Sequence, residues 1–149
     1  MTAIHFYHLT TSPMNIALPK LLEKAYSGGY RTLLLAENAD RMEQLNQLLW
    51  SYHPLSFLPH GSLKEPHQAM QPILVSDRLE NGNNANVLFI TSGLHLEHTE
   101  GYERIIDMFD GNDDYALTQA RARWKAYKDT GLELVYNKQT SSGGWEKAG

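Results

Sequence analysis

Tyr30-Arg31-Thr32-Leu33-Leu34-Leu35-Ala36-Glu37 is the stretch on which the fold turns. Its apolar run is continuous instead of alternating, the pattern of a strand covered on both faces. Gly28 and Gly29 precede it, and Asn38 and Asp40 follow it. A helix therefore stops just ahead of the strand and another is capped just behind it. A strand framed in this way is the centre of an α/β sheet.

Towards the N-terminus, Ala3 to Leu9 reads as a first strand, ended by Thr10-Thr11-Ser12-Pro13. Ser12 before Pro13 is a helix-start signal, and Leu18, Leu21, Leu22 and Ala25 then share one face. An interior proline removes a helix hydrogen bond, so Pro19 argues for a regular helix that begins near Leu18. Towards the C-terminus, Met42, Leu45, Leu48 and Leu49 form the buried face of a second helix, with Trp50 at its exit. The connection from there to Gln71 carries Pro54, Pro59 and Pro66 and no helix or strand periodicity; connections of that length are usually functional or mobile.

Further strands are expected at Pro72 to Val75, Asn86 to Thr91 and Arg104 to Phe109. A helix follows from Tyr115 to Thr130, and a short last strand from Leu132 to Tyr136. The alternation predicts a single α/β domain over 1–137, with a mainly parallel sheet and helices on both faces. Residues 138–149, rich in Ser and Gly, are expected to form a loose tail.

The 149 residues include no cysteine, which removes disulfides, thiolate metal sites and a Cys nucleophile and suits a reducing compartment. The start lacks the basic and apolar segments of a secretory signal, and no run is long enough to span a membrane. A cytoplasmic location is expected. The formal charge of −4 opposes direct binding to a phosphate backbone.

Signs of catalysis are weak. The first strand-to-helix connection has no glycine, so the phosphate-cradling fingerprint is missing. His95 and His98, with Glu97 and Glu100, form the best metal-like cluster, but they lie in a polar loop without a recognised third ligand, and solvated histidines are the favoured reading. No Gly-x-Ser-x-Gly elbow occurs. The residues point to no catalytic group, metal or cofactor.

Two surfaces stand out instead. On a helical wheel of the Tyr115 to Thr130 segment, Ala116, Tyr127, Ala120, Trp124 and Leu117 fill one arc, and Lys128, Arg121 and Lys125 lie beside it. Such a margin suits a ligand that is part apolar and part anionic, with a carboxylate meeting Arg121 and Lys125. An ordinary amphipathic helix with cations in its last turns gives the same pattern. The second surface runs from Leu48 to His60, where Trp50, Tyr52 and Phe57 sit among prolines as interface anchors do; Trp50 and Phe57 closing the core is the plain alternative.

Several blocks resemble the chi subunit of bacterial DNA polymerase III holoenzyme. They are Phe6-Tyr7, Arg31 to Glu37, Leu49-Trp50, Ser56-Phe57-Leu58-Pro59-His60, Ile106-Asp107-Met108-Phe109-Asp110, and Ala120-Arg121-Ala122-Arg123-Trp124-Lys125-Ala126-Tyr127-Lys128 with Gly131. The resemblance implies a Rossmann-like fold and a non-catalytic accessory protein of the clamp loader. It also implies two partners. One is the acidic C-terminal tail of single-stranded DNA-binding protein, SSB, which ends in phenylalanine. The other is the psi subunit, replaced in some relatives by an iron–sulfur helicase. By position, the tail site falls on Phe109, Arg121, Trp124 and Lys125, with Lys128 an outer cation from the wheel. The psi-facing surface falls on Trp50, Phe57, Pro59 and His60. Contact with DNA would be indirect. The rival reading is a small α/β enzyme acting on a nucleotide or phosphate ester, which nucleotides would stabilise against heat.

Overall fold

The computed structural model describes residues 2–52 and 58–148. In chain order the elements are β1 (Ala3–Leu9), α1 (Met14–Ser27), β2 (Thr32–Leu35), α2 (Ala39–Ser51), β3 (Gly61–Ser62), a 3-10 turn (Gln68–Met70), β4 (Ile73–Ser76), β5 (Val87–Ile90), β6 (Arg104–Asp110), α3 (Asp114–Asp129), β7 (Glu133–Gln139) and β8 (Trp145–Lys147). The fold is α/β and Rossmann-like, with mainly parallel strands. The chain forms two compact units, Asn15–Phe89 on the one hand and Met1–Met14 with Ile90–Gly149 on the other.

In the unit of residues 15–89 the strand order is β3-β4-β2-β5. β4 runs parallel to both β2 and β3. Every residue of β2 and of β4 is buried, as the unbroken apolar run of the opening stretch requires. α2 is capped by Asn38, whose Oδ1 accepts the Arg41 N–H at 2.8 Å. The helix buries Met42, Leu45, Asn46 and Leu49.

Arg31, at the entry to β2, holds much of the following connection in place. Its Nε donates to the Asn83 carbonyl at 2.9 Å, and its Nη2 to the carbonyls of Ala69 and Gln71 at 2.8 and 3.1 Å. Over the described residues 58–71 the connection carries regular structure that its composition did not suggest, β3 and the 3-10 turn.

α1 also differs from expectation. It begins at Met14, directly after Pro13, so Pro19 is an interior residue and is buried. The bond that Pro19 cannot donate would have gone to the carbonyl of Asn15, an exposed residue whose carbonyl water can serve in its place. Burial of Leu18, Pro19, Leu21 and Leu22 on one face outweighs the single lost bond.

In the other unit the order is β6-β1-β7-β8. β1 is parallel to both its neighbours, with Phe6 beside Asp107 on one side and Tyr136 on the other. α3 carries the chain from β6 to β7. It is capped by Asp113, whose Oδ1 accepts the N–H groups of Tyr115 and Ala116 at 3.0 and 3.2 Å.

Residues 138–148, expected to be loose, carry the end of β7 and an antiparallel β8, with Lys138 opposite Glu146 and Gln139 opposite Trp145. Two contacts explain the order. The Trp145 ring meets Tyr7 edge-on at 4.9 Å. Gln139, which is buried, accepts the N–H groups of Thr10, Thr11 and Ser12 on one oxygen at 3.2, 2.9 and 2.9 Å and donates to the Gly143 carbonyl at 3.3 Å. Gln139→Ala strips three N–H groups of their acceptor at once. A loss of about 1–3 kcal/mol is expected by urea denaturation, and an unchanged midpoint would show that water replaces the amide without cost.

Candidate functional site

α3 presents two neighbouring stripes. Ala120, Arg123 and Tyr127 are buried against the sheet. Arg121, Trp124 and Lys128, at the i, i+3 and i+7 positions, form the next stripe.

A buried cation is the feature that the wheel did not assign. Arg123 is 5% exposed and faces Asp107, 1% exposed, on β6. Its Nε donates to Oδ2 at 2.8 Å and its Nη2 to Oδ1 at 2.9 Å, while Nη1 donates to the Gly93 carbonyl at 3.2 Å. Burial pushes the Asp107 carboxyl up and the guanidinium pulls it back. The two-pronged geometry, with each oxygen accepting one N–H, is that of an ionised pair. Gly93 has φ +78 and leaves room for the guanidinium, since a Cβ there would lie 3.3 Å from Nη1. The signals were present in the sequence: Arg123 borders the apolar arc on the wheel, and Asp107 interrupts the otherwise apolar run from Ile105 to Phe109.

Beside the fork lies a cluster of rings. Phe6 meets Trp124 edge-on at 5.3 Å and stacks on Tyr136 at 6.5 Å, and Trp124 meets Tyr136 edge-on at 5.4 Å. Phe109 packs behind them, 6.4 Å from both Phe6 and Tyr136. His8 lies over Phe109 at 5.0 Å, and its Nδ1 is 2.6 Å from the Tyr136 hydroxyl oxygen. Edge-on contacts of this kind favour one arrangement of the rings over many.

A cavity of about 370 Å³ opens over this cluster, lined by Ala120, Arg121, Trp124, Lys128, Tyr136 and Ala148. Its apolar wall is Trp124 and Tyr136, and its cations are Arg121 and Lys128. The Ala148 N–H donates to the Tyr136 carbonyl at 2.9 Å and so fixes that side of the rim. Burial pushes the Tyr136 phenol up, and Arg121 partly reverses this. Burial pushes the His8 imidazole down, with Lys138 and Arg121 adding to the effect and Asp110 opposing it.

The structure therefore brings Arg121, Trp124 and Lys128 together at one cavity. Lys125 is exposed on the helix but does not line it. Phe109 is buried behind the rings and lines a neighbouring cavity of about 280 Å³ with Met14, Tyr115, Ala116 and Arg123. Tyr136 and Ala148 were missed, because their place depends on which strand lies beside β1.

In the other unit Trp50 is 50% exposed. Its ring is 4.8 Å from that of His60, which is itself buried, with Nδ1 2.7 Å from the Leu58 carbonyl and Nε2 3.2 Å from that of Asn46. His60 thus backs Trp50 instead of standing at the surface. Pro59 is half-buried, and Phe57 lies outside the described residues. His95 stacks flat on Tyr127 at 4.9 Å. Among the described residues no three of His, Asp and Glu come together as a metal site, and no helix is long and apolar enough to cross a membrane.

Residues 1–135 match the model of the family described as DNA polymerase III chi subunit, HolC. Over 117 residues the chain is 34% identical to the probable DNA polymerase III subunit chi of Rickettsia prowazekii, an alignment covering 74% of this chain and 71% of that protein. Over 115 residues it is 27% identical to the DNA polymerase III subunit chi of Haemophilus influenzae, covering 76% of this chain and 79% of that one.

Arg123→Met leaves the Asp107 carboxylate buried without its partner and is expected to cost about 3–5 kcal/mol of stability. The double variant Asp107→Leu with Arg123→Met is expected to recover most of the loss, since apolar side chains can replace a buried pair at little cost. Denaturant titration of both decides the matter. A single-variant loss below about 1 kcal/mol, the worth of an exposed pair, would mean that the fork contributes little.

Proposed function

The chain belongs to the DNA polymerase III chi subunit family, a replication accessory subunit, and we propose that it acts as a non-catalytic adaptor joining the clamp loader to SSB. The cavity over Trp124 and Tyr136 takes the phenylalanine that ends the SSB tail, and Arg121 takes its terminal carboxylate. Lys128 and Lys125 attract the acidic residues before it. The observation that carries this reading is the pairing, at one cavity, of two aromatic walls with two cations. An acidic peptide ending in an aromatic residue satisfies both, and its charges attract no competing phosphate backbone to a chain of net charge −4.

The second partner, the psi subunit, docks on the face around Trp50, Phe57 and Pro59, with His60 as the support beneath Trp50. A half-exposed tryptophan braced by a buried ring is what a protein interface uses as an anchor.

Calorimetric titration with a synthetic peptide of the host SSB tail tests the first contact. Binding is expected to require the terminal phenylalanine and to weaken about tenfold or more in Arg121→Ala, the loss of a hydrogen-bonded charge pair. Added salt should weaken it further. Equal affinity for the peptide without its phenylalanine would overturn the reading. For the second contact, Trp50→Ala is expected to cost at least about 2 kcal/mol of association with psi and to leave peptide binding unchanged. Loss of both activities together would point to misfolding.

A further inference from the structure

His8 is not among the residues that line the cavity, yet it is bound to one of its walls. We propose that the cavity takes its acidic peptide together with a proton, held at His8, so that the imidazole becomes an added cation of the site only when the site is filled. The inference deepens the tail-binding reading and rests on it.

The geometry is a short chain from ligand wall to imidazole. Tyr136 forms one wall of the cavity, and its hydroxyl oxygen is 2.6 Å from His8 Nδ1. The imidazole is held in place by ring contacts to Phe109 at 5.0 Å and to Tyr136 at 5.8 Å. Gly111 leaves it space, since a Cβ there would overlap the His8 ring. The contact with Tyr136 suits both charge states. A neutral ring with its proton on Nε2 accepts the tyrosine O–H at Nδ1. A protonated ring donates from Nδ1, and the tyrosine oxygen accepts. Protonation reverses the roles and keeps the bond.

The charges around His8 come from three elements. From β7 it faces Tyr136 and Lys138, the residue in register with it. From β6 it faces Asp110, and from α3 Arg121. Burial, Lys138 and Arg121 push the imidazole pKa down against the pull of Asp110. A peptide carboxylate meeting Arg121 cancels part of that repulsion and adds a negative charge of its own. The imidazole is then easier to protonate. Reciprocity requires that whatever makes the ring easier to protonate also makes the peptide bind more tightly to the protonated form. His5 does not share this role. It alternates to the opposite face of β1, and burial with Arg104 and Lys147 pushes it down to about 4, so it stays neutral at neutral pH.

Calorimetric titration of the full chain with the SSB-tail peptide, near the ordinary imidazole pKa of about 6.5 and in buffers of different ionisation enthalpy, counts the protons exchanged. Net proton uptake is expected, with affinity rising as the pH falls from about 8 to about 6, by at most about threefold to tenfold, the ceiling set by a shift of half to one pKa unit. The peptide's own carboxylates stay ionised over that range. In His8→Phe, which keeps a ring on Phe109, the uptake and the pH dependence are expected to vanish while binding persists. NMR titration of the His8 ring in the wild-type chain, free and peptide-bound, gives the same answer without a variant, through an upward shift of its midpoint. Binding without proton uptake, or uptake that survives His8→Phe, overturns this inference and leaves the tail site standing. Absence of peptide binding overturns both.

Discussion

The fork between Asp107 and Arg123 is the constraint on which the unit containing the cavity depends. An arginine taken out of water has one low-energy orientation, the one that satisfies its N–H groups, and here the strand carboxylate and the Gly93 carbonyl define it. That requirement fixes the rotation of α3 about its axis. With Arg123 turned inward, the next residue, Trp124, comes to rest edge-on against Phe6, and Arg121 faces the solvent on the far side of it. A purely apolar stripe would pack well over a range of rotations. A buried two-pronged ion pair does not allow that freedom, which makes it a setting device for the stripe beside it.

The cavity inherits its character from this arrangement. Its floor is a set of rings in edge-on contact, and its rim holds cations that have water on one side. Apolar contact supplies affinity without direction, whereas a guanidinium can supply direction, through paired hydrogen bonds to a carboxylate. A ligand that offers only one of the two gains only part of the binding. Exposed lysines such as Lys128 can act only through longer-range attraction, which is the contribution most sensitive to ionic strength.

Much of this was legible because it is local. The β2 run, the Asn38 cap, the helix from residue 114 and the cations along it all follow from spacing and residue type within a few turns. What stayed hidden depends on partners distant in sequence. Tyr136 reads as one more strand residue until β7 is known to lie beside β1. Gln139 reads as a polar residue near a tail until its amide is found under the N–H groups of residues 10–12. Pro19 misled because an isolated rule about proline was set against burial of a whole helix face, and burial prevailed. His60 was placed on the psi-facing surface by position from the resemblance, whereas the ring is buried, with its nitrogens beside the carbonyls of Leu58 and Asn46.

β1 lies between β6 and β7, and its first residue pairs with Arg104 on one side and Glu133 on the other. Seen from the ribosome, β1 is made well before either of its neighbours. Residues 15–89 contain the partners of their own strands β2, β3 and β4 and can close early. β1 must wait, unpaired, while about a hundred residues emerge, and the loop it then closes is among the longest the chain can form. The cavity over Trp124 and Tyr136, which needs β7 beside β1, therefore cannot form before β7 has been made.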